Sequence, residues 1–511
     1  MRSFSGPLLA LALILPVARA QTAPSAAPPA PSGAPAGPAA PAAPRRPAPP
    51  QQPTFPVPPA LKGTVTFACG QGKNGGLSLF ANTLYSDTSA GWDRNLGPAP
   101  KVDNGTCSSD KPFFFSIPVP EGNYRVKILF GGPAETVVTV RAEARRLMLE
   151  KVAVKANATL EKDFDVNVRV PEFKNPDGTP NRVRLKPREF GDRNLDWDNK
   201  LTLEFNGTNP SFHAFSITPL TGSHADAVVY LAGDSTMVDQ DSEPWASWGQ
   251  QLPRFFLPGM VIANNAESGE TSASFQGEQR FAKIMSVIQT GDFFFMQFNH
   301  NDQKPGAVPL DKYKQILTDF VTQVRAKNAI PVIVTAQHRR NFDASGHITN
   351  SLGDYPDAAR QVAADTHTYL IDLTAMSKTL FEAMGDEGSK HAFMYFPANT
   401  FPGQTREYAD NTHFNGYGAY ELARCIVNGI RENKLYIAGH RSLGAGLRPG
   451  QARPVRHVLP ASHAFAEEGR PHADPAGGPE ISPGAVQRWC TVSRCQQNAG
   501  ILPHSQRSGS E

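Results

Sequence analysis

Between about residues 61 and 219, apolar and polar residues alternate in short runs separated by turn residues. A period of two puts successive side chains on opposite faces of a strand, as in a half-buried β-sheet. Strands of this length and spacing predict a β-sandwich, which we assign to residues 60–221. The runs that carry this prediction are 64–67, 113–117, 124–129, 137–140, 164–168 and 201–205.

From about residue 227 to residue 437, short apolar runs alternate with helical patterns. Between two of these runs, apolar residues recur at spacings of three and four from Tyr313 to Val324, which predicts an amphipathic helix. Alternation of buried strands and helices predicts a doubly wound α/β domain with a parallel five-stranded sheet, assigned to 225–440. The predicted strands lie at 228–232, 261–263, 293–297, 331–335 and 369–372.

The two ends of the chain have different compositions. Arg2, an apolar run over 7–17 and a small-x-small end at Ala20 are typical of a secretory signal peptide, predicted at 1–20. Residues 21–59 are rich in Pro and Ala and predict an extended linker, whereas 441–511 have no periodicity and predict a disordered tail. We therefore expect a secreted or periplasmic protein.

The composition narrows the possible partners. With 50 basic and 47 acidic residues the net charge is +3, which gives no reason to expect nucleic acid as a partner. After the signal peptide no apolar run approaches bilayer length, so we expect no membrane segment in the mature form. We also expect the protein to be a monomer.

The five cysteines lie in three parts of the chain. Cys69 and Cys107 are candidates for a disulfide, and Cys425 has the setting of a small buried hydrophobe. Cys490 and Cys495 have poor zinc spacing, so no metal site is expected. No cofactor is expected either.

The candidate chemistry lies where predicted strands end. Ser235 follows the first strand of the α/β domain, Gly269 the second and Asn301 the third, while Asp410 and His413 precede the last helix. The carboxyl ends of parallel strands meet at one edge of a sheet, where ligands bind. A serine nucleophile, a histidine base, a carboxylate that holds the base and donors for an oxyanion are what ester hydrolysis needs. No residues are assigned to substrate binding.

These blocks resemble a known family. Gly-Asp-Ser-Thr at 233–236, Ser-Gly-Glu-Thr-Ser at 268–272, His-Asn-Asp at 300–302 and Asp-x-x-His at 410–413 are similar to the four blocks of the SGNH (GDSL) hydrolases. Further stretches, such as Arg-Arg-Asn-Phe-Asp at 339–343, resemble bacterial rhamnogalacturonan acetylesterases. The β-domain resembles the galactose-binding-like domain that precedes many of these enzymes.

The resemblance implies a flavodoxin-like fold and a role for each block. Ser235, His413 and Asp410 would be catalytic, and Ser235, Gly269 and Asn301 would form the oxyanion hole. The implied substrate is an acetylated polysaccharide or oligosaccharide, above all rhamnogalacturonan or pectin. Two alternatives stay open: an esterase of xylan or another oligosaccharide, and a carbohydrate-binding protein without catalysis.

Some residues depart from the family pattern. Asn299 stands where members commonly have Gly, and we expect it to tolerate the left-handed backbone of that loop. Glu270 stands where some members have Arg, which weakens the expectation of acidic-sugar recognition.

Other residues invite a functional reading that we do not favour. His300 is interpreted as structural support and Asp234 as a cap of backbone N–H groups. Trp92, Trp197 and Tyr85 are interpreted as core or rim aromatics rather than as a sugar-stacking platform.

Overall fold

The computed structural model of the protein describes residues 52–71, 76–190, 195–220 and 227–438. The predicted signal peptide, most of the predicted linker and the tail at 441–511, with Cys490 and Cys495, lie outside these residues. Among the helices in the described part of the chain, none has the length and apolar character needed to cross a lipid bilayer.

The N-terminal region is rich in β-structure, as predicted. Its strands are β1 (Val65–Cys69), β2 (Leu77–Leu79), β3 (Gly91–Trp92), β4 (Lys101–Asp103), β5 (Thr106–Ser108), β6 (Phe113–Pro118), β7 (Gly122–Gly131), β8 (Thr136–Ala142), β9 (Arg146–Val154), β10 (Thr159–Val168), β11 (Glu172–Lys174), β12 (Pro180–Arg182), β13 (Lys200–Thr208) and β14 (Ser211–Pro219).

Two large sheets of this region share one apolar core. One has the order β10-β7-β14-β1-β2, with β5 also paired to β14 and β4 to β5, and the other has the order β3-β6-β13-β8-β9. Phe67 and Phe215 of the first sheet meet Phe115 of the second at ring distances of 4.8 Å each. A disulfide joins Cys69 of β1 to Cys107 of β5, the pair for which the sequence suggested a bridge.

The C-terminal region combines strands with helices. Its strands are β15 (Ala227–Gly233), β16 (Trp245–Ala246), β17 (Met260–Asn264), β18 (Phe293–Gln297), β19 (Ile330–Val334), β20 (Tyr369–Ile371), β21 (Phe393–Phe396) and β22 (Tyr408–Asn415). Its helices are α1 (Trp248–Gln251), α2 (Ser272–Gly277), α3 (Arg280–Val287), α4 (Leu310–Ala326), α5 (Tyr355–Asp365), α6 (Leu373–Ser389) and α7 (Gly416–Glu432). Short 3-10 turns are Pro187–Glu189, Leu252–Phe255, Lys390–Ala392 and Tyr436–Ala438.

The main sheet of this region has the order β17-β15-β18-β19-β20, and its strand pairs are parallel. Residues of β15 alternate between its two faces: Val229 and Leu231 pack in the cluster that contains α6 and α7, whereas Val228, Tyr230 and Ala232 pack in the cluster that contains α3, α4 and α5. Because both faces are covered, the strands are apolar throughout.

A smaller sheet with the order β16-β22-β21 was not predicted from the sequence. Strands β16 and β21 are short, and β22 is largely polar and half-buried, so this sheet gives little apolar periodicity to detect. Strand β22 carries both Asp410 and His413, and α7 follows this strand directly.

The end of the predicted linker is bonded to the β-rich region. The side chain of Gln52 exchanges hydrogen bonds with the backbone of Leu185, at 2.9 and 3.0 Å. The carbonyl of Pro56 accepts from the side chain of Asn199 at 2.5 Å. Two residues in the described part of 21–59, Gln52 and Pro56, thus make long-range contacts with the β-rich region.

The two regions are in direct contact. Leu147 of β9 is fully buried in the apolar cluster of the C-terminal sheet. Asp165 of β10 accepts a hydrogen bond from the backbone N–H of Gly259 at 2.6 Å. The β-rich region therefore packs against the α/β region.

Candidate active site

Ser235 lies just beyond the carboxyl end of β15, where the chain turns away from the sheet. The turn needs glycine at 233, because a Cβ there would lie 2.8 Å from the carbonyl oxygen of Gln297 and from the sulfur of Met237. Asp234 is buried and accepts from the backbone N–H and the hydroxyl of Thr236, at 2.9 and 2.8 Å. The prediction that Asp234 caps the turn is therefore confirmed.

Ser235, His413 and Asp410 form one hydrogen-bonded chain. His413 Nδ1 is 2.7 Å from Asp410 Oδ2, and His413 Nε2 is 2.9 Å from Ser235 Oγ. An ionised carboxylate only accepts hydrogen bonds, so Nδ1 carries the proton and Nε2 accepts from the serine hydroxyl. This is the orientation in which the imidazole can take the serine proton.

A break in the strand ladder aims His413 at the serine. Phe393 of β21 pairs with Phe414, but the next residue, Met394, pairs with Asp410, so residues 411–413 leave the ladder. Such an irregularity bends the strand and re-aims a side chain. Asp410 closes the loop, since its Oδ1 accepts from the N–H groups of Thr412 at 2.7 Å and His413 at 3.1 Å.

These contacts keep Asp410 ionised. Partial burial opposes the charge, but the hydrogen bonds and charge of His413 and the two backbone donors outweigh it and lower the pKa of Asp410 to about 2. The carboxylate is therefore available to orient the imidazole over the whole range in which proteins normally work.

The three predicted oxyanion donors surround the same space. Gly269 has a φ of +80°, a left-handed conformation that favours glycine. In the described parts of the chain, the N–H groups of Ser235 and Gly269 have no hydrogen-bond acceptor. Asn301 Nδ2 donates one hydrogen bond to the carbonyl of Glu270, at 2.9 Å, and has a second hydrogen that can be donated.

Lys304 determines which way the Asn301 amide faces. Its Nζ is 2.6 Å from Asn301 Oδ1. A lysine ammonium has donors but no acceptor, so the amide atom that faces it has to be the oxygen. The NH2 group of Asn301 is then directed to the Glu270 carbonyl and the site.

A cavity of about 350 Å³ opens onto this arrangement. It is lined by four of the predicted site residues, Ser235, Gly269, Asn301 and His413. Within the described ranges, no group of three or more His, Cys, Asp or Glu side chains is placed to hold a metal ion.

The sequence was compared with known families and proteins. Residues 231–419 match the profile of the GDSL-like Lipase/Acylhydrolase family. The rhamnogalacturonan acetylesterase RhgT of Bacillus subtilis (strain 168) is 42% identical over 215 residues, which are 42% of this chain and 93% of RhgT. The chain belongs to the GDSL-like lipase/acylhydrolase family. As a member of this acylhydrolase family, it is an ester hydrolase.

Two further Bacillus subtilis (strain 168) proteins are similar to this GDSL-like hydrolase. The probable rhamnogalacturonan acetylesterase YesY is 34% identical over 210 residues, 40% of this chain and 92% of YesY. A solved structure of protein YXIM aligns with 73% of this chain and 99% of that protein at 22% identity, with a TM-score of 0.40.

Two departures from the pattern of GDSL-like hydrolases have structural explanations. Asn299 has no positive φ, so the left-handed backbone that we expected Asn to tolerate does not occur there; its amide is buried and donates to the Leu352 carbonyl at 3.3 Å. Glu270 is fully buried and forms ion pairs with Lys186 and Arg280, and it does not line the cavity. It therefore places no carboxylate where substrate would bind.

The residues interpreted as structural are buried or half-buried. His300 is 3% exposed and lies 3.1 Å from the amide of Gln337, and burial lowers its pKa well below the usual range. Trp92 lies in the apolar core, and the ring of Trp197 is covered by the guanidinium of Arg169 at 4.7 Å. Tyr85 is half-buried with the ammonium of Lys200 5.1 Å from its ring. A shared stacking platform is thereby excluded.

Several cavity residues were not predicted. They include residues 240–242, Trp245 and Lys304 of the α/β region, and Arg188 of the β-rich region. Lys304 could have been noticed, because it lies three residues after Asn301 in the same loop. Arg188 gives no local signal, since it precedes its partner Glu267 by 79 residues.

Proposed function

We propose that this hydrolase is an exported serine acetylesterase that removes acetyl groups from cell-wall polysaccharide of the rhamnogalacturonan type. The observation that carries the proposal is the hydrogen-bonded chain from Asp410 through His413 to Ser235, which ends at the cavity. The pattern at residues 1–20 supports export.

In the proposed first half of the reaction, His413 Nε2 takes the hydroxyl proton while Ser235 Oγ bonds to the acetyl carbonyl carbon. The carbonyl oxygen becomes an oxyanion, which accepts from the N–H groups of Ser235 and Gly269 and from Asn301 Nδ2. The intermediate collapses, the carbon–oxygen bond to the sugar breaks, and the leaving sugar oxygen takes the proton from His413.

In the second half, a water molecule gives a proton to His413 Nε2 and attacks the acetyl-serine carbon. The second oxyanion is held by the same donors. The bond from the acetyl carbon to Ser235 Oγ then breaks as Oγ takes the proton from His413, and acetic acid leaves and ionises to acetate in water. Asp410 keeps the imidazole oriented and stabilises its cation in both halves.

The cavity lining supports a polar, acid-bearing sugar as substrate. Among the residues that line it, Arg188 and Lys304 are cations and Asp241 is a carboxylate. The two relatives with the highest identities reported above are named as rhamnogalacturonan acetylesterases. A uronic-acid polymer is therefore the favoured substrate class.

The test is acetate release from a panel of acetylated polymers by the wild type and by Ser235→Ala. We expect the highest kcat/KM on acetylated rhamnogalacturonan and no release above background by the variant. Equal or faster release from acetylated xylan would overturn the substrate assignment, and release by Ser235→Ala would overturn the mechanism.

Lys304→Met should lower kcat for p-nitrophenyl acetate by about 10-fold, with KM changed less than about twofold, because the Asn301 amide loses its fixed orientation. Lys304→Arg restores a donor and should recover most of the rate. In an Asn301→Ala background Lys304→Met should cost nothing further, as expected for two residues that act through one group. An equal loss in both backgrounds would contradict this role.

The acid limb of kcat/KM should rise with pH with a slope of about 1 on a logarithmic plot. A slope of 1 corresponds to a single proton whose uptake stops the reaction. Asp410 adds no second proton there, because its pKa is lowered to about 2. Circular dichroism over the same range serves as the control for unfolding. A slope near 2 with an unchanged spectrum would mean that Asp410 takes up a second proton in this range.

A further inference from the structure

Two walls of the cavity are tied to the N-terminal β-rich region. The first wall is formed by residues 240–242 and Trp245 of the loop at 240–245, and the second by Ser268 and Gly269 of the loop at 267–270. Each loop is bonded to buried or half-buried cations that come from the other region.

Arg141 of β8 and Arg145 of the loop that follows β8 hold the first wall. Arg145 Nη1 donates to the carbonyls of Gln240 and Trp245, at 3.1 Å each. Arg141 Nη1 donates to the carboxylate of Glu243 at 2.9 Å. Both arginines are more than nine-tenths buried, so these bonds are shielded from solvent.

The 3-10 turn Pro187–Glu189 and the residue before it hold the second wall. Lys186 Nζ donates to the carbonyl of Ser268 at 2.9 Å and pairs with Glu270. Glu189 accepts from Arg280 Nη1 at 2.9 Å, and both side chains are buried. Lys186 thus contacts the residues on both sides of Gly269, Ser268 by its carbonyl and Glu270 by its side chain.

Arg188 goes further, because its side chain reaches the cavity itself. Its Nε donates to Glu267 at 2.6 Å, and its Nη2 contacts the carbonyl of Ser268. Nη2 lies 3.9 Å from the point where a side chain on Gly269 would begin. The Arg188 side chain is 53% exposed, and Nη1 has no hydrogen-bond acceptor in the described parts of the chain.

We propose that the N-terminal β-rich region supplies part of the substrate site, with Arg188 as the residue that contacts the saccharide bearing the acetyl group. This inference rests on the proposed esterase function. Arg188 stands beside a predicted oxyanion donor, so a substrate whose carbonyl is seated there brings its sugar ring next to the guanidinium.

The setting of Arg188 suits it to this contact. A guanidinium presents donors in a fixed plane that match hydroxyl and carboxylate oxygens. Glu267 and the Ser268 carbonyl hold that plane before substrate arrives, so little side-chain freedom is lost on binding. A p-nitrophenyl ester has no sugar that Arg188 could contact. A comparison of this ester with an acetylated oligosaccharide therefore distinguishes an effect on sugar binding from an effect on ester hydrolysis.

The test compares Arg188→Gln with a matched control, Arg182→Gln. Arg182 lies in the same region and also pairs with a glutamate, Glu172 at 3.2 Å, but does not line the cavity. For Arg188→Gln we expect KM for an acetylated oligosaccharide to rise by about 10-fold, and kcat/KM for this substrate to fall about 10-fold more than kcat/KM for p-nitrophenyl acetate. The control should leave both values unchanged.

Several outcomes would overturn the inference. If Arg188→Gln matches Arg182→Gln on the oligosaccharide while Ser235→Ala is inactive, the contact is refuted and the esterase function stands. If Arg188→Gln lowers turnover of both substrates equally, the residue has a purely structural role. If Ser235→Ala keeps wild-type turnover, the proposed function fails and the inference fails with it.

Discussion

Ser235→Ala and His413→Ala should each reduce hydrolysis of p-nitrophenyl acetate by about 10⁴-fold or more, with little change in thermal stability. The two side chains are joined at 2.9 Å between Oγ and Nε2, and neither can perform its step without the other. The double variant should therefore be no slower than either single variant, because the residues act as one unit. Turnover by stopped-flow or steady-state assay and thermal unfolding by circular dichroism provide the measurements.

Ser345→Ala and His347→Ala are suitable controls for this experiment. Both lie in an exposed loop of the same α/β region, and neither lines the cavity. They should keep wild-type rates. If either active-site variant kept more than about a tenth of the wild-type rate in a folded protein, another nucleophile or base would have to carry the reaction.

The parts of the site that could be predicted are those encoded locally. An apolar run that ends in Gly-Asp-Ser places Ser235 just after a buried strand, and the carboxyl ends of parallel strands meet at one edge of a sheet. The three-residue spacing of Asp410 and His413 is also local, because Asp410 Oδ1 bonds to the backbone N–H of His413 and Oδ2 to its ring. The sequence blocks were therefore enough to single out Ser235, His413 and Asp410, the three residues that the hydrogen bonds join.

The parts that could not be predicted depend on contacts between distant segments. Lys186 and Arg188 reach the Gly269 loop from 82 and 79 residues away, and no periodicity encodes such a pairing. The same lack of long-range information affected the interpretation of Glu270. Its position beside Gly269 in the sequence suggests an acid that faces the substrate, but Glu270 is buried and paired with Lys186 and Arg280. The environment of a charged side chain is determined by the residues that pack around it in the fold rather than by its neighbours in the sequence.

Asn299 shows a second reason for error. Replacement of a glycine suggests a left-handed backbone, since that is the conformation in which Asn most often substitutes for Gly. Here the side chain finds a buried acceptor in the Leu352 carbonyl, 53 residues further along the chain. A long-range hydrogen bond, and not backbone freedom, accounts for Asn at this position.

Asn301→Ala is expected to lower kcat for p-nitrophenyl acetate by about 10²-fold to 10³-fold, with a much smaller change in KM. The amide hydrogen that faces the site has its largest effect when the carbonyl oxygen becomes negative, so its loss raises the barrier more than it weakens binding. Steady-state kinetics on the small ester measures both constants without any contribution from sugar contacts.

Asn299→Ala is the matched control for this variant. It also removes a buried amide that donates to a backbone carbonyl, but Asn299 does not line the cavity. The two variants should lose similar thermal stability, because each leaves one buried carbonyl without its donor. If Asn299→Ala lost as much kcat as Asn301→Ala, the effect would be structural; if Asn301→Ala changed KM alone, Asn301 would bind the ground state of the substrate rather than the oxyanion.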